Sequence, residues 1–451
     1  MTDLIFRRIE ERREREALVW QDRALSYGWL SDRISNWQDT LSAEGVSPGS
    51  VVVLEADFSP NAVALFLAFM RNRCITVPLT SRVEAVKREF TDIAQGEWRF
   101  ALSADDRAEI SRTGREADHE LFGRLRGFDR PGLVLFSSGS TGKSKASVHD
   151  LSKLLEKFTA QKQTLRTVTF LFFDHIGGVN TMLYALSNGG CLIAVPDRSP
   201  DGVFRAVERF RAELLPTSPT FLKLVILSEA YRRYDTSSLK IITYGTEPMP
   251  ETTLSRLHEI FPHVQLKQTY GLSELGILSS KSKDSESLWV KIGGEGYKTR
   301  VVNGTLRIRA DSAMLGYLNA PCPFDPDGWF DTEDAVEVDG DYLRFLGRTS
   351  EIINIGGEKV YPVEVESIIQ TMDGVEDITV RGEANPIIGR IVVAEVRLMT
   401  DESAQAFKRR MNTYCRDRLA RFKIPQKIVL APASRPAERF KKIRRGRNGM
   451  A

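Results

Sequence analysis

Short apolar runs that alternate with helical patterns limit the fold of this chain more than any other feature. Residues 51–54 form one such run, a helical spacing of apolar residues extends from Pro60 to about residue 72, and residues 75–79 form a second run. Strand, helix and strand in this order predict a parallel α/β layer. The same alternation predicts helices at residues 26–41 and 151–158, and strands at residues 133–136, 168–173, 191–195, 214–216 and 241–244.

The texture of the sequence changes near residue 290. From there on, short runs of alternating apolar and polar residues are separated by Asn-Gly, Asp-Gly and Gly-Asp pairs. This pattern is typical of antiparallel hairpins. After residue 348, smaller patterns predict helices at residues 362–370 and 404–419 and strands at residues 375–380 and 391–398. The sequence therefore predicts a large α/β portion, a β-rich third portion and a small C-terminal α+β domain that begins near residue 348.

The composition excludes several classes of protein. Of the 451 residues, 42% are hydrophobic and 27% are charged, and the net charge of +3 gives no reason to expect nucleic acid or a membrane as partner. The 4 cysteines have no paired spacing, which fits reduced thiols and argues against zinc sites and disulfides. No apolar core of signal-peptide length follows Met1, and the longest apolar stretch, residues 62–70, is too short to span a bilayer. We therefore expect a cytoplasmic protein without membrane insertion.

A loop rich in serine and glycine carries the strongest chemical signal. Residues 136–145 read FSSGSTGKSK and directly follow the predicted strand 133–136. Its glycines allow a tight turn in which several N–H groups converge on one anion, and its hydroxyls and lysines add donors. A Walker A loop is excluded, because that motif needs a glycine five positions before Gly142, where Ser137 stands. The predicted polyphosphate contacts are Ser137, Ser138, Gly139, Ser140, Thr141, Gly142 and Lys145.

The loop resembles the phosphate loop of the adenylate-forming superfamily, which comprises acyl-CoA synthetases, adenylation domains and luciferases. Ser144 stands where that loop usually has proline, and Ala146 where it has glycine. Further strings that resemble signatures of the superfamily follow in the expected order. They are Gly-Thr-Glu-Pro at residues 245–248, Thr-Tyr-Gly-Leu-Ser-Glu at 269–274, Gly-Trp-Phe-Asp-Thr-Glu-Asp at 328–334 and Gly-Arg-Thr-Ser-Glu at 347–351.

The resemblance implies a role for each string. Residues 245–248 would line the adenine of ATP, Tyr270 would pack on it, and Asp334 would accept hydrogen bonds from both ribose hydroxyls. Glu274 and Thr141 would hold Mg²⁺, which prefers oxygen ligands. The implied nucleotide contacts in these strings are Gly245, Thr246, Glu247, Pro248, Thr269, Tyr270, Gly271, Ser273, Asp334 and Arg348.

Two further positions depart from the pattern of the superfamily. Glu333 replaces the usual glycine, which puts a side chain near the sugar. The hinge residue that follows Arg348 is Ser350, where aspartate or lysine is common, so the balance between the two orientations of the small domain is open.

The C-terminal part would supply the catalytic lysine. Residues 436–445 resemble a string that ends Gly-Lys-Ile-x-Arg, and they fit best with Lys442 as the catalytic residue and Lys441 as the alternative register. Rotation of the small domain would then withdraw Lys442 and present Gly356 and Gly357 to a pantetheine thiol. The resemblance thus implies an α/β fold with a large N-terminal domain, 1–347, of two α/β subdomains plus a β-rich subdomain at about 285–347, and a small mobile domain, 348–451.

The sequence limits the identity of the acid and of the thiol acceptor less closely than it limits the fold. Phe173, Asp174 and His175 precede a Gly-Gly pair. In acyl- and aryl-CoA ligases, which this segment resembles, a histidine here lies beside the acyl pocket. In amino-acid-activating domains, an aspartate here binds the amino group of the substrate. The Gly-Gly pair favours His175, and hence a simple fatty, aryl or hydroxy acid. No carrier domain is appended, so the acceptor would be CoA or the phosphopantetheine of a separate acyl carrier protein.

We therefore predict a ligase that uses ATP and Mg²⁺, with Lys442, His175 and Glu274 as catalytic residues. A stand-alone amino-acid-adenylating enzyme and a non-catalytic nucleotide-binding relative remain as alternatives.

Overall fold

The computed structural model describes residues 2–137, 144–355, 358–385 and 389–431. The α-helices are α1 Thr2–Glu10, α2 Tyr27–Glu44, α3 Pro60–Arg71, α4 Lys87–Ile93, α5 Glu120–Gly127, α6 Leu151–Leu155, α7 Ile176–Ser187, α8 Pro200–Phe210, α9 Pro219–Ser228, α10 Glu251–Ile260, α11 Pro362–Ile369 and α12 Ala404–Cys415. Short 3₁₀ helices lie at Ser81–Val86, Glu156–Phe158, Ala230–Arg232, Thr349–Glu351 and Arg421–Lys423.

The strands are β1 Glu16–Trp20, β2 Arg23–Ser26, β3 Val51–Glu55, β4 Ile75–Leu79, β5 Trp98–Leu102, β6 Ala108–Arg112, β7 Gly132–Ser137, β8 Lys145–Asp150, β9 Arg166–Val168, β10 Cys191–Ile193, β11 Leu214–Thr217, β12 Ile241–Tyr244, β13 Gln265–Gln268, β14 Gly271–Leu272, β15 Gly276–Ile277, β16 Ser279–Ser282, β17 Trp289–Gly293, β18 Tyr297–Val302, β19 Thr305–Ala310, β20 Gly316–Tyr317, β21 Phe330–Asp339, β22 Tyr342–Arg348, β23 Ile353–Ile355, β24 Glu358–Val360, β25 Val375–Asn385, β26 Gly389–Leu398 and β27 Lys427–Leu430.

Helices α3, α8 and α9 begin in the same way, at a Ser-Pro pair. Each serine, Ser59, Ser199 or Ser218, lies at the N-cap, where its side chain accepts a hydrogen bond from a backbone N–H of the first turn. The proline that follows has no N–H to leave unpaired, and its fixed φ suits the first helical position. The sequence alone therefore sets these three N-termini.

Two sheets of seven strands form the large domain. Their strand orders are β13-β12-β11-β9-β10-β1-β2 and β20-β8-β7-β4-β3-β5-β6. The pairings are parallel apart from β1–β2, β5–β6, β7–β8 and β8–β20.

Helices cover both faces of each sheet. One apolar cluster joins Leu192 of the first sheet to Leu54 of the second through Phe66 of α3 and Leu183 of α7, so these helices lie between the sheets. Helices α8 to α10 pack on the outer face of the first sheet, and α4 and α5 on that of the second. The predicted large domain of two α/β subdomains is therefore confirmed. Residues 62–70, the longest apolar stretch, belong to the buried α3 and are at most 1% exposed.

A third sheet is antiparallel and extends from Ser279 to Arg348. Its order is β16-β17-β22-β21-β19-β18. Asn303 and Gly304 join β18 to β19 with φ of 52° and 76°, and this pair of positive values is what a tight type I′ hairpin turn requires. The predicted β-rich portion is thus confirmed as a separate sheet beside the two parallel ones.

The C-terminal portion has its own small core. Strands β25, β26 and β27 form one sheet, β23 and β24 form a hairpin, and α11 and α12 pack on them around Ile369 and Phe407. An ion pair from Lys223 of α9 to Asp377 of β25 joins this portion to the large domain.

Some predicted boundaries were wrong. The strand predicted at 168–173 is β9, Arg166–Val168, and the apolar residues after it form a loop. Phe170 and Phe173 are buried there against Phe221 and Phe58, with ring centroids 4.3 and 4.8 Å apart, so burial without strand pairing explains the apolar run. The helix predicted at 151–158 becomes 3₁₀ after residue 155, and that predicted at 404–419 ends at residue 415. Within the described ranges, no helix combines the length and the apolar character that a bilayer span needs.

Candidate functional site

The two ends of the predicted phosphate loop lie side by side at one edge of the second sheet. Ser137 ends β7 and Lys145 begins β8, and the two residues are partners in the antiparallel ladder. Phe90 of α4 stacks on Phe136, with ring centroids 3.9 Å apart. Asn319 holds the second end: its Oδ1 accepts from the N–H of Ala146, and its Nδ2 donates to the carbonyl of Ser144, both at 2.9 Å.

Glu274 lies next to this loop because of Tyr317. Strand β20 pairs with β8, which brings the ring of Tyr317 to 5.2 Å from the ammonium of Lys145. The Tyr317 hydroxyl donates to Oε1 of Glu274 at 2.6 Å. Burial, together with the nearby Glu274 carboxylate, raises the pKa of Tyr317, so the phenol keeps the proton that it donates. A lysine, a phenol and a carboxylate therefore form a row beside the loop.

Tyr270, Asp334 and Arg348 form a second polar group. The hydroxyl of Tyr270 donates to Oδ2 of Asp334 at 2.6 Å, and Nε of Arg348 lies 2.9 Å from Oδ1. Arg348 also donates through Nη1 to the carbonyl of Thr332 at 2.8 Å. The ring of Tyr270 is buried and stacks on Phe345, with centroids 4.6 Å apart. These contacts hold the Asp334 carboxylate in one orientation.

The charges of the two groups are coupled. Burial on its own would lower the pKa of the Arg348 guanidinium, but the nearby carboxylates, Asp334 foremost and Glu274 among them, outweigh it and raise that pKa. Burial and the Asp334 carboxylate raise the pKa of Tyr270 well above its usual value. At neutral pH the group thus consists of a cation, an anion and a neutral phenol.

Glu333 is exposed and adopts a strained backbone conformation. Its φ is 57°, in the left-handed region that costs most residues other than glycine about 1–2 kcal/mol. The glycine usual at this place in the superfamily would adopt this φ without strain. The side chain is exposed, whereas the neighbouring Asp334 is buried.

The strings at residues 245–248 and 269–274 are in contact. A Cβ on Gly245 would lie 2.6 Å from Oγ1 of Thr269, so only glycine fits there. The N–H of Thr269 donates to the carbonyl of Tyr244 at 2.7 Å. The carboxylate of Glu247 accepts from the N–H of Thr220 at the start of α9, 2.7 Å away. This contact assigns Glu247 a helix-capping role in addition to any contact with a nucleotide.

His149 connects the string at 269–274 to the phosphate-loop strand β8. Its Nε2 lies 2.6 Å from the carbonyl of Ser273. The imidazole is fully buried, and burial lowers its pKa to about 4. The ring is therefore neutral at pH 7, and Nε2 must carry the proton because a carbonyl oxygen only accepts. Ser273 and the adjacent Glu274 are thereby held against β8.

The segment around His175 forms the N-terminus of α7. His175 is the N-cap, with Nδ1 accepting from the N–H of Gly177 at 3.0 Å. Asp174 is buried, and its Oδ2 accepts from the hydroxyl of Thr80 at 2.8 Å. A Cβ on Gly178 would lie 1.9 Å from the carbonyl oxygen of Phe172, so close packing alone explains that glycine. The Gly-Gly pair therefore does not indicate which of the two residues borders the acyl pocket. The hydrogen bond from Thr80 to Asp174 is what distinguishes them.

A cavity of about 290 Å³ lies near this segment, where strands of both parallel sheets end. Ligands of open α/β sheets bind outside the carboxyl ends of the strands, and this cavity follows β3, β4 and β10. The buried Arg198 ion-pairs with Asp57 at 2.7 Å, so its charge is balanced. The lining residues are Asp57, Ser81, Arg82, Phe172, Pro196 and Arg198.

The side chains beside the phosphate loop fit Mg²⁺ better than they fit a metal ion that needs several protein ligands. In the part of the chain that the structure describes, no three His, Cys, Asp or Glu side chains converge on a metal-sized site. Mg²⁺ usually takes one or two carboxylates and completes its shell with water and phosphate oxygens. Glu274, oriented by Tyr317 beside the loop, is such a carboxylate.

Several predicted site residues lie outside the described residues, and the structure adds others. The predictions outside are Ser138, Gly139, Ser140, Thr141, Gly142, Gly356, Gly357 and Lys442 with its alternative Lys441. Sequence analysis missed Tyr317, His149, Asn319 and Thr80, which orient predicted site residues. Thr80 follows the carboxyl end of the parallel strand β4, a position where polar side chains can be sought. His149 lies near the end of the antiparallel β8, where it pairs with Leu133 at the start of β7. No local pattern distinguishes Tyr317 or Asn319.

Comparisons with known proteins agree with this arrangement. The family described as AMP-binding enzyme matches residues 5–91 and 101–318, and the AMP-binding enzyme C-terminal domain matches residues 364–442. An indoleacetate–CoA ligase of Aromatoleum aromaticum is 26% identical, with 92% of this chain and 90% of the relative covered. A long-chain-fatty-acid–CoA ligase of Mycobacterium tuberculosis is 24% identical, with 91% and 90% covered. A feruloyl-CoA synthase of an Amycolatopsis species is 26% identical, with 90% and 89% covered.

Solved structures share the fold. An anthranilate CoA ligase in complex with anthranoyl-AMP matches with a TM-score of 0.79 at 19% identity, over 98% of this chain and 95% of that one. An amide bond synthetase from Marinactinospora thermotolerans matches with a TM-score of 0.78 at 20% identity, over 98% and 97%. At these identities the likeness shows the fold and not the choice of substrate.

Proposed function

Since the chain belongs to the family of AMP-binding enzymes, we propose that it is an AMP-forming acid–thiol ligase of the acyl-CoA synthetase type. It activates a carboxylic acid as an acyl-adenylate with ATP and transfers the acyl group to CoA. One observation carries the proposal: Glu274, which Tyr317 holds beside Lys145 at one end of the phosphate loop, is near enough to Arg348 to raise its pKa, and Arg348 pairs with Asp334. Distant parts of the chain thus contribute to one group of polar side chains.

The first half-reaction needs positive charge and positioning. A carboxylate is a poor electrophile, so its oxygen instead attacks the α-phosphorus of ATP, the bond from that phosphorus to the β-phosphate breaks, and pyrophosphate leaves. Because two anions must meet, catalysis consists of holding them together and neutralising their charge. Ser137 and Lys145 bind the phosphates, Lys442 contacts the reacting carboxylate and the α-phosphate, and His175 borders the acyl group.

The nucleotide is held by the second polar group. The Asp334 carboxylate accepts from the ribose hydroxyls, and its fixed orientation between Tyr270 and Arg348 supports this role. Glu274 provides a carboxylate for Mg²⁺, which supplies charge neutralisation for the phosphates when it is bound.

The second half-reaction transfers the acyl group to the thiol. The thiol loses its proton, the sulfur attacks the acyl carbon, and the bond from that carbon to the AMP oxygen breaks. The small domain, which begins near residue 348, turns about Ser350 so that Gly356 and Gly357 replace Lys442 at the site. The curated relatives named above are CoA ligases, which supports CoA rather than a carrier protein as the acceptor.

The amino-acid alternative receives no support from the segment before α7. An aspartate that binds a substrate ammonium must present its carboxylate to the pocket, whereas the buried Asp174 accepts from the hydroxyl of Thr80. A simple carboxylic acid therefore remains the preferred substrate class.

Exchange of ATP with labelled pyrophosphate tests adenylation. Acid-dependent exchange is expected in the unmodified chain, and Lys442→Ala should abolish it while sparing thioester formation from preformed acyl-adenylate. Lys441→Ala is the matched control and should retain exchange. Normal exchange in Lys442→Ala contradicts the assignment of that residue. Exchange that is lost only in Lys441→Ala identifies Lys441 as the catalytic lysine instead. No pyrophosphate release with any acid of a broad panel supports the non-catalytic alternative.

A further inference from the structure

Lys223 of α9 connects the large domain to the small one through two acceptors. Its ammonium forms a hydrogen-bonded ion pair with Oδ1 of Asp377 in β25, and it donates to Oε1 of Gln370, at the C-cap of α11, at 2.5 Å. The side chain of Lys223 is only 14% exposed, and that of Asp377 is 30% exposed. A carboxylate and an amide oxygen of the small domain thus converge on one ammonium that has little contact with solvent.

Both sides of this contact belong to rigid elements. In α9, the adjacent Leu222 is fully buried in the core on the outer face of the first sheet. In β25, the adjacent Ile378 is buried in the core of the small domain. Gln370 donates through Nε2 to the carbonyl of Val375 at 3.1 Å, which orients its amide so that Oε1 accepts from Lys223. A rotation of the small domain about the hinge therefore has to separate the ammonium from both acceptors.

Arg397 makes this contact reversible. It is the partner of Asp377 in the ladder of β25 and β26, and its Nη2 lies 3.4 Å from Oδ2, the oxygen that does not pair with Lys223. Removing one partner of a buried ion pair is costly because the other charge is left uncompensated. Since Arg397 turns together with Asp377, this carboxylate keeps a cation in either orientation, and opening the contact costs less than breaking an isolated pair.

Ser350, the hinge residue, carries no charge that could select an orientation. It is exposed, and a hydroxyl donates and accepts hydrogen bonds but forms no ion pair. The contact of Lys223 is charged, and it lies on a helix that reaches the candidate site. Three residues before Lys223, the N–H of Thr220 donates to Glu247 of the string 245–248. Lys223 therefore fastens the small domain to the helix that begins at this string.

We propose that Lys223 is a positioning residue, which holds the small domain in one of the two orientations that the half-reactions need. The inference rests on the proposed function, because that function requires the small domain to turn. Lys223 acts through Asp377 and Gln370 and does not contact the reacting atoms. A hydrogen bond between charged groups favours the state that contains it by at least about 10-fold, so its loss should change the ratio of the two orientations by that factor.

Distances between spin labels on the two domains test the inference without catalysis. Cys322 is exposed in the large domain, whereas the other three cysteines are buried, and Met399, which is 62% exposed, provides a site in the small domain as Met399→Cys. Double electron–electron resonance on the full-length chain labelled at both sites should give two populations of distances. Lys223→Met, which keeps an unbranched stem, should lower the share of the orientation with the Lys223 contact, relative to the other, at least about 10-fold.

Two further variants make the result specific. Asp377→Asn should shift the populations in the same direction, and Lys223→Met combined with it should add nothing, because both residues act through one contact. Lys423→Met is the matched control, because Lys423 pairs with Glu364 at 2.6 Å within the small domain, and it should leave the populations unchanged. The same distances and populations in the unmodified chain and in Lys223→Met overturn the inference, as does an equal shift in Lys423→Met.

The half-reactions separate this inference from the proposed function. With an acid that supports pyrophosphate exchange in the unmodified chain, Lys223→Met should slow either adenylation or thioester formation from preformed acyl-adenylate and CoA in single turnovers, and not both. Equal effects on the two half-reactions overturn the positioning role and leave the ligase proposal standing. Exchange with no acid at all overturns the ligase proposal, and the label distances then decide the role of Lys223 by themselves.

Discussion

Acidification from about pH 8 to about pH 5 should destabilise the large domain through one buried imidazole, that of His149. The ring lies in β8, and its Nε2 donates to the carbonyl of Ser273 at 2.6 Å. Its pKa is about 4 in the folded chain, because burial opposes the charged form. In the unfolded chain an ordinary histidine has a pKa of about 6.5.

The sign and size of the effect follow from these two values. Between about pH 6.5 and about pH 4 the unfolded chain binds a proton that the folded chain excludes, so stability falls as the pH falls through this window and is fully present above it. The difference of about 2.5 pKa units corresponds to about 3 kcal/mol in total, of which about 2 kcal/mol is lost by about pH 5.

The assay is denaturant unfolding of the unmodified chain and of His149→Gln at both pH values, followed by tryptophan fluorescence. All 6 tryptophans precede residue 348, so the signal reports the large domain. The glutamine amide can donate to Ser273 but does not titrate. The free energy of unfolding should therefore fall by about 2 kcal/mol more in the unmodified chain than in the variant. Equal pH dependence in the two proteins, within about 0.5 kcal/mol, would refute the reasoning.

Three further predictions concern the residues around Glu274 and Asp334. Glu333→Gly should be about 1 kcal/mol more stable than Glu333→Ala in thermal unfolding, because alanine keeps the strain at φ 57° and glycine does not; equal stabilities would contradict this. Asp334→Asn should raise the KM for ATP at least about 10-fold in pyrophosphate exchange, since it weakens the ribose acceptor and the pair with Arg348; an unchanged KM would exclude the ribose role. Tyr317→Phe should raise the Mg²⁺ concentration for half-maximal exchange about 10-fold, because Glu274 loses the hydroxyl that orients it; an unaltered Mg²⁺ dependence would separate Glu274 from the metal.

Local signals in the sequence were sufficient for the architecture. The alternation of apolar runs and helical patterns predicted the large α/β portion, because each strand and helix buries a face that its own spacing reveals. Its division into two subdomains was implied by the resemblance to the superfamily. The Ser-Pro pairs set the starts of α3, α8 and α9, and Asn303 and Gly304 set a hairpin, because these choices depend on backbone groups only a few residues away. The ordered strings around Tyr270, Asp334 and Arg348 identified the candidate site through their resemblance to signatures of the superfamily.

Only the tertiary structure decided which partners these side chains have. Tyr270 and Asp334 are 64 residues apart in the chain, and their hydrogen bond exists because the third sheet packs against the end of the first. The carboxylates of Asp174 and Glu247 belong to predicted binding strings, yet one oxygen of each accepts a hydrogen bond from a distant element, the Thr80 hydroxyl or the Thr220 N–H. Hydrogen bonds and charges act over a few ångströms in space, so their partners depend on how the layers pack and not on neighbouring letters of the sequence.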